Sequence, residues 1–231
     1  MSAELSPDKK EELVVGLSKR GIIKFGESTL KSGRKSPIYY NQRPLLSVDH
    51  NLGMTPSQQR ELASLAVKSY ADKVRTLQGK GDTQLYGIPQ AATAIGAVVA
   101  RETDASYLWG RVGKKDYGKH EAIERSFLPE SSVIQIDDVV TNADSKIVSA
   151  ANLAEAGLET SGFVVMLDRQ EGGEGALALA GHTMESVLTM SDVALILDDN
   201  RIIGSRELDA LVEYHEDLRA EGVGSTYSYG S

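Results

Sequence analysis

The sequence predicts an α/β protein: a central, mainly parallel sheet flanked by helices, behind a small N-terminal hood of helix and short strands. Three observations point there. Strand-like apolar runs alternate with helix-like patterns from residue 84 to residue 220, the order that produces a parallel sheet covered on both faces. At residues 133–149, VIQIDDVVTNADSKIVS, the run Val133–Ile136 leads straight into Asp137 and Asp138, then Val139, Val140, the loop TNADS and a helical pattern from Lys146. Such a run reads as a buried parallel strand whose C-terminal end carries a site. Finally, the 231 residues are 41% apolar and 25% charged, an ordinary globular composition with enough chain for one full core. No internal repeat or composition break marks a second unit, so residues 1–231 read as a single domain. Within it, 1–47 form the hood, 48–221 the core and 222–231 a flexible tail.

Taken in order, Ser6-Pro7 followed by Leu13, Val14 and Leu17 predicts a helix ending at Gly21. Residues 22–47 predict two or three short strands around the Ser32-Gly33 turn, with Tyr39 and Tyr40 in a strand. Thr55-Pro56-Ser57-Gln58 has the capping-box pattern and opens a helix to about Gln78. After a break at 79–83, Gln84–Tyr86 is a strand, GIPQ a loop and AATAIGAVVARE a helix rich in small residues; Ser106–Trp109 is the next strand. Residues 110–131 have no useful period and read as a long mobile loop. A helix over Asp144–Ala156 closes at Gly157. There follow a strand at Phe163–Leu167, a loop at Asp168–Gly175, a helix at Ala176–Ala180, a strand at Val187–Met190 and a helix at Ser191–Leu197. Ser205 is the expected cap of a last helix to about Ala220, and GVGSTYSYGS the frayed tail.

Composition narrows the function. There is no cysteine, which excludes disulfides, thiolate nucleophiles and cysteine metal sites. The net charge of −8 argues against a general nucleic-acid binder. No apolar run is long enough for a membrane span. The N-terminal MSAELSPDKKEE is unlike a signal or transit peptide, so a cytoplasmic address is expected. Two basic islands stand in this acidic chain: Lys19–Arg43 holds seven Lys/Arg against one acid, and Arg111–His120 four against one. Such islands suit a small polyanion. Next to Asp137 and Asp138, the loop leading into a helix start offers backbone N–H groups for an anion. Carboxylates for hydroxyls and amides for phosphate together suit a sugar phosphate.

The stretch DDVVTNADS resembles the phosphoribosyl-pyrophosphate (PRPP) signature of type I phosphoribosyltransferases. Four further segments resemble orotate phosphoribosyltransferases: IIKFGESTLKSGRKSPIYYN, YGIPQAATAIG as the pyrophosphate loop, WGRVGKKDYGKH as the mobile catalytic loop, and LDRQEGG. The resemblance implies the type I phosphoribosyltransferase fold over the whole chain. It also implies the reaction of orotate with PRPP to orotidine 5′-monophosphate and pyrophosphate, with Mg²⁺ held mainly through substrate oxygens and water.

Residue by residue, the resemblance assigns Lys31, backbone at Tyr39 and Tyr40, Thr141 and Arg169 to orotate. Arg169 takes the carboxylate, a task suited to a planar guanidinium. PRPP falls to Gln90 and Ala91, to Asp137 and Asp138 at the ribose hydroxyls or water on the metal, to Val139 and Val140, and to Thr141, Asn142, Ala143, Asp144 and Ser145 around the 5′-phosphate. Arg111, Lys114, Lys115 and Tyr117 meet the pyrophosphate, with Lys115 the catalytic lysine alongside Asp137 and Asp138. A homodimer is implied, its loop 110–120 reaching the neighbouring site. The sequence departs from the pattern at Ala143, where the family has glycine, and at Asp144, Val112, Tyr117 and Ala91. Asn142 is then the residue expected to take glycine's left-handed backbone, and Asp144 either faces the phosphate or turns away as a helix cap. The alternative reading is a non-catalytic nucleotide-binding regulator on the same fold. Such a regulator would lose the loop lysine or the base-reading residues, and Lys115 and Arg169 are both present.

Overall fold

A computed structural model describes residues 5–29, 33–79, 82–110 and 132–229. The chain opens with helix α1 (Pro7–Lys19), hairpin strands β1 (Ile23–Thr29) and β2 (Lys35–Tyr40), and a 3-10 turn at Arg43–Leu46. Then come α2 (Pro56–Leu77), β3 (Thr83–Gly87), α3 (Thr93–Glu102), β4 (Ser106–Leu108) and β5 (Ser132–Val140). The chain continues through α4 (Asp144–Glu155), β6 (Glu159–Asp168), α5 (Gly173–Leu179), β7 (Met184–Thr189), α6 (Met190–Asp199) and α7 (Ser205–Ala220). Among the described residues no helix is long and apolar enough to cross a membrane.

Among the described residues, five strands form one sheet in the order β4-β3-β5-β6-β7, every pair parallel, while β1 and β2 pair antiparallel as a separate hairpin. This is the α/β class read from the alternation. Strand side chains alternate between two cores. In β6, Phe163 and Val165 join one cluster with Leu153 of α4 and Leu177 of α5; Val164 and Met166 join the other with Tyr70 of α2 and Val193 of α6. The period of two therefore buries both faces, and the apolar runs show no polar side.

Strand order reverses beside β3. Its crossover through α3 runs outward to β4, while the next strand, β5, lies on its other side. The loops leaving β3 and β5 consequently diverge at their carboxyl ends, the position at which open α/β sheets bind ligands. The β3 loop turns tightly. A Cβ on Gly87 would lie 2.3 Å from the Ala92 carbonyl oxygen and 2.7 Å from the Tyr107 hydroxyl, and the Pro89–Gln90 peptide is cis. Gly87→Ala is expected to destabilise the protein by about 1–3 kcal/mol through overpacking, read as a lower urea midpoint at unchanged slope.

Several boundaries differ from the sequence reading. Helix α5 starts at Gly173, three residues early, because Gly172 at φ 85° supplies the turn. Gly204, not Ser205, is the N-cap of α7; its N–H donates to Glu207 Oε2 at 3.0 Å. The capping box of α2 forms as the pattern indicates: Thr55 Oγ1 accepts from the Gln58 N–H and Gln58 Oε1 from the Thr55 N–H. The tail does not fray through residue 229, since Tyr227 is buried in the main core and neighbouring backbone is hydrogen-bonded. Local composition there signals a loop, but the aromatic ring anchors it.

Candidate functional site

Parallel pairing in register brings the site together. Asp137 lies opposite Val165 and Val140 opposite Asp168, and the Arg169 N–H donates to the Val140 carbonyl at 3.1 Å. Arg169 thus leaves β6 directly beside Thr141, where the loop after β5 begins. The start of α5 closes on the same loop: a Cβ on Gly173 would come within 2.4 Å of the Thr141 carbonyl oxygen. Only glycine permits that approach.

The two acids have different surroundings. Asp137 is 7% exposed and engaged at both carboxylate oxygens. Oδ1 accepts from the Asp138 N–H at 2.9 Å, and Oδ2 takes the ammonium of Lys146, 2.5 Å away. Lys146, itself 3% exposed, also donates to the Val139 carbonyl. Asp138 is half-buried. Burial, then the adjacent Asp137 charge, push its carboxyl well above the ordinary range, against the pull of Lys146. Asp138 is therefore the more open member of the pair, while Asp137 belongs to a buried ion pair. In the sequence Lys146 looks like an unremarkable first-turn lysine.

In the loop, Ala143 rather than Asn142 takes the left-handed conformation, at φ 68°, and is the N-cap of α4. Asn142 instead turns its amide to Asp144, donating to Oδ2 at 2.7 Å. Asp144 is the first helical residue and, among the described residues, no side chain caps the helix, so its expected capping role is not what holds it. Asn142, Asp144 and Ser145 are exposed, Thr141 half-exposed and Ala143 buried. On the β3 loop, Gln90 is exposed and Ala91 partly so.

The residues that the resemblance assigns to orotate, as far as the structure describes them, include Arg169, Tyr39 and Tyr40 near the junction of hood and core. Arg169 is 4% exposed; Nη2 donates to Ser36 Oγ of β2 at 2.7 Å and Nε lies 2.7 Å from Glu171 Oε1. Burial raises the Glu171 carboxyl, opposed by the Arg169 charge. Tyr39 is 45% exposed whereas Tyr40 packs inward, so one ring of the pair serves the core. The Tyr40 hydroxyl donates to Gln42 Oε1 at 2.7 Å; that of fully buried Tyr70, 3.0 Å from the same oxygen, donates to the Asp137 carbonyl at 2.8 Å. This relay ties the hood to the acid pair through Gln42 and Tyr70, two residues the sequence patterns do not single out. Lys31, Arg111, Lys114, Lys115 and Tyr117 lie outside the described residues.

No family model matches the chain. It is, however, 32% identical over 183 residues to the orotate phosphoribosyltransferase of Natronomonas pharaonis, covering 79% of this chain and 96% of that protein. The chain belongs to the orotate phosphoribosyltransferase family. The crystal structure of the orotate phosphoribosyltransferase from Aeropyrum pernix superposes with a TM-score of 0.66 at 25% identity, over 83% of this chain and 99% of that one. The architecture is thus the type I phosphoribosyltransferase fold expected from the motifs. Uridine 5′-monophosphate synthase of Bos taurus is 30% identical over 202 residues, 87% of this chain, but the chain spans only 40% of that longer protein.

Proposed function

We propose that this member of the family is a pentosyltransferase that moves the 5-phosphoribosyl group of PRPP to orotate, giving orotidine 5′-monophosphate and pyrophosphate in pyrimidine biosynthesis. The observation that carries this reading is the placement of a buried guanidinium, Arg169, beside Thr141 and under the hood. That arrangement sets a carboxylate reader next to a phosphate loop. Orotate lies between Arg169, Thr141, Lys31 and the backbone of Tyr39 and Tyr40. Asp138 takes the ribose hydroxyls, with Asp137 steadying it from behind. Backbone from Val139 to Ser145 follows the ribose and 5′-phosphate, while Gln90 and Ala91 border the pyrophosphate. Arg111, Lys114, Lys115 and Tyr117 close on it, placing charge where it develops in the transition state.

Among the described residues no three acids or histidines converge as a metal cage. This donor set fits Mg²⁺ carried mainly by substrate oxygens and water, near Asp138. The ion's contribution is to neutralise the departing pyrophosphate. The direct test is loss of orotate absorbance on adding PRPP and Mg²⁺, with uracil in parallel; turnover of uracil equal to that of orotate would overturn the reading.

The working unit is a cytoplasmic homodimer in which residues 110–120 serve the neighbouring site. Mixing Lys115→Ala with Arg169→Ala, each nearly dead alone, is expected to restore up to about a quarter of wild-type activity for random pairing. Verified heterodimers without activity would place the loop in its own site.

Asp144 sits in the loop that wraps the phosphate. A carboxylate about 4–6 Å from a phosphate costs on the order of 1 kcal/mol in a partly dry site. Asp144→Asn keeps a partner for Asn142 and is expected to tighten PRPP binding about fivefold by calorimetry. Unchanged affinity would show that the carboxylate points off the phosphate.

A further inference from the structure

The segment after α7 turns back along the loop that carries Arg169. Gly222 reverses the chain at φ 81°. The Thr226 N–H donates to the Gln170 carbonyl, and Gln170 Nε2 donates to the Thr226 carbonyl, both at 3.2 Å. The Ser228 N–H donates to Ser191 Oγ at 3.2 Å, while Ser191 donates through both N–H and Oγ to Gln170 Oε1 at 2.8 Å. Backbone of Gly224 comes within 3.4 Å of where a Gly172 Cβ would stand. Gln170 is thus gripped from three sides while its own backbone sits at φ 59°, a conformation that costs a non-glycine residue on the order of 1 kcal/mol.

The anchor of this strap is Tyr227, 4% exposed, whose ring stacks on His215 of α7 with centroids 4.3 Å apart and planes 14° apart. His215 is also held by Ser225 Oγ, 2.8 Å from Nδ1. Burial first, then the charge of Arg169, keep His215 down to about 4, so its ring is neutral near pH 7. Just before the strap, Glu221 at the end of α7 forms a two-point ion pair with Arg34 of the hood at 2.5 and 3.1 Å. The strap itself therefore touches the Arg169 side of the base site, while the residue that leads into it meets the hood.

We propose that residues 223–229 are a positioning element for orotate, with Tyr227 the residue that holds the Gln170–Gly172 turn and, through it, Arg169. This rests on the role given to Arg169 above. A displaced guanidinium loses the planar two-point fit to a carboxylate, so the effect falls on orotate and spares PRPP.

The test is steady-state kinetics in both substrates on Tyr227→Ala, Tyr227→Leu and Tyr227→Phe, with calorimetric titration of orotate. The Ala and Leu variants are expected to raise KM for orotate about tenfold, as small misplacements do, with KM for PRPP within about twofold. Leucine fills most of the volume, so it serves if the alanine variant does not fold. Tyr227→Phe should match wild type, because the hydroxyl makes no hydrogen bond among the described residues. Variants that melt earlier but keep the orotate KM, or that lose both substrates equally, would overturn the proposal. Wild-type protein that consumes no orotate would sink the enzyme reading instead, and the calorimetric orotate affinities would still decide the strap.

Discussion

Replacing Arg169 by alanine is expected to lower kcat/KM for orotate by about 10²–10³-fold, the range for removing a charge-assisted pair from a buried site. KM for PRPP should hardly move. Lysine is no substitute, because a point charge cannot reproduce the planar fork. The same substitution strands Glu171, 2.7 Å away and almost fully buried. Breaking such a pair from one side costs about 3–5 kcal/mol. Glu171 would respond by taking up a proton, the direction in which burial already pushes it. Arg169→Met with Glu171→Gln removes both charges and should recover most of the melting temperature without recovering orotate turnover. Recovery of both would assign Arg169 to stability alone.

Lys146→Met is expected to destabilise the protein by about 3–5 kcal/mol, since it leaves the Asp137 carboxylate buried and uncompensated. That is a large share of the roughly 5–15 kcal/mol typical of a domain. Adding Asp137→Asn should return most of the stability in urea unfolding. Because both oxygens of Asp137 are already used inside the protein, the double variant should keep PRPP affinity within about tenfold. Asp138→Asn alone should lose far more affinity. An equal loss from the Asp137 change would mean that Asp137 also meets the ribose.

The stretches that form the candidate site are readable because each is local: a buried strand ending in acids, a loop into a helix, and an Arg–Gln–Glu turn after the next strand. The parallel sheet followed from alternation alone. What was not readable is what reaches across the chain. Lys146 carries a charge that suggests solvent, but its partner is nine residues back on a strand. Gln42 and Tyr70 stand 28 residues apart, and Arg169 meets Ser36 across 133. Nothing local marks His215 as buried; the returning tail stacks Tyr227 on it. The tail's glycines and serines predict a loose segment, while burial of the Tyr227 ring anchors it. Asn142 lost the left-handed position to Ala143 because its amide is occupied by Asp144.

That alanine at φ 68° has a thermodynamic consequence for the loop it caps. Glycine there would be free of the penalty of about 1 kcal/mol for a left-handed L-residue, yet would leave the empty loop many more backbone states to lose when an anion arrives. Alanine moves that entropy loss from the binding step to the folding step. The protein starts with a loop already set in shape, and any ligand docking there would have less disorder to remove.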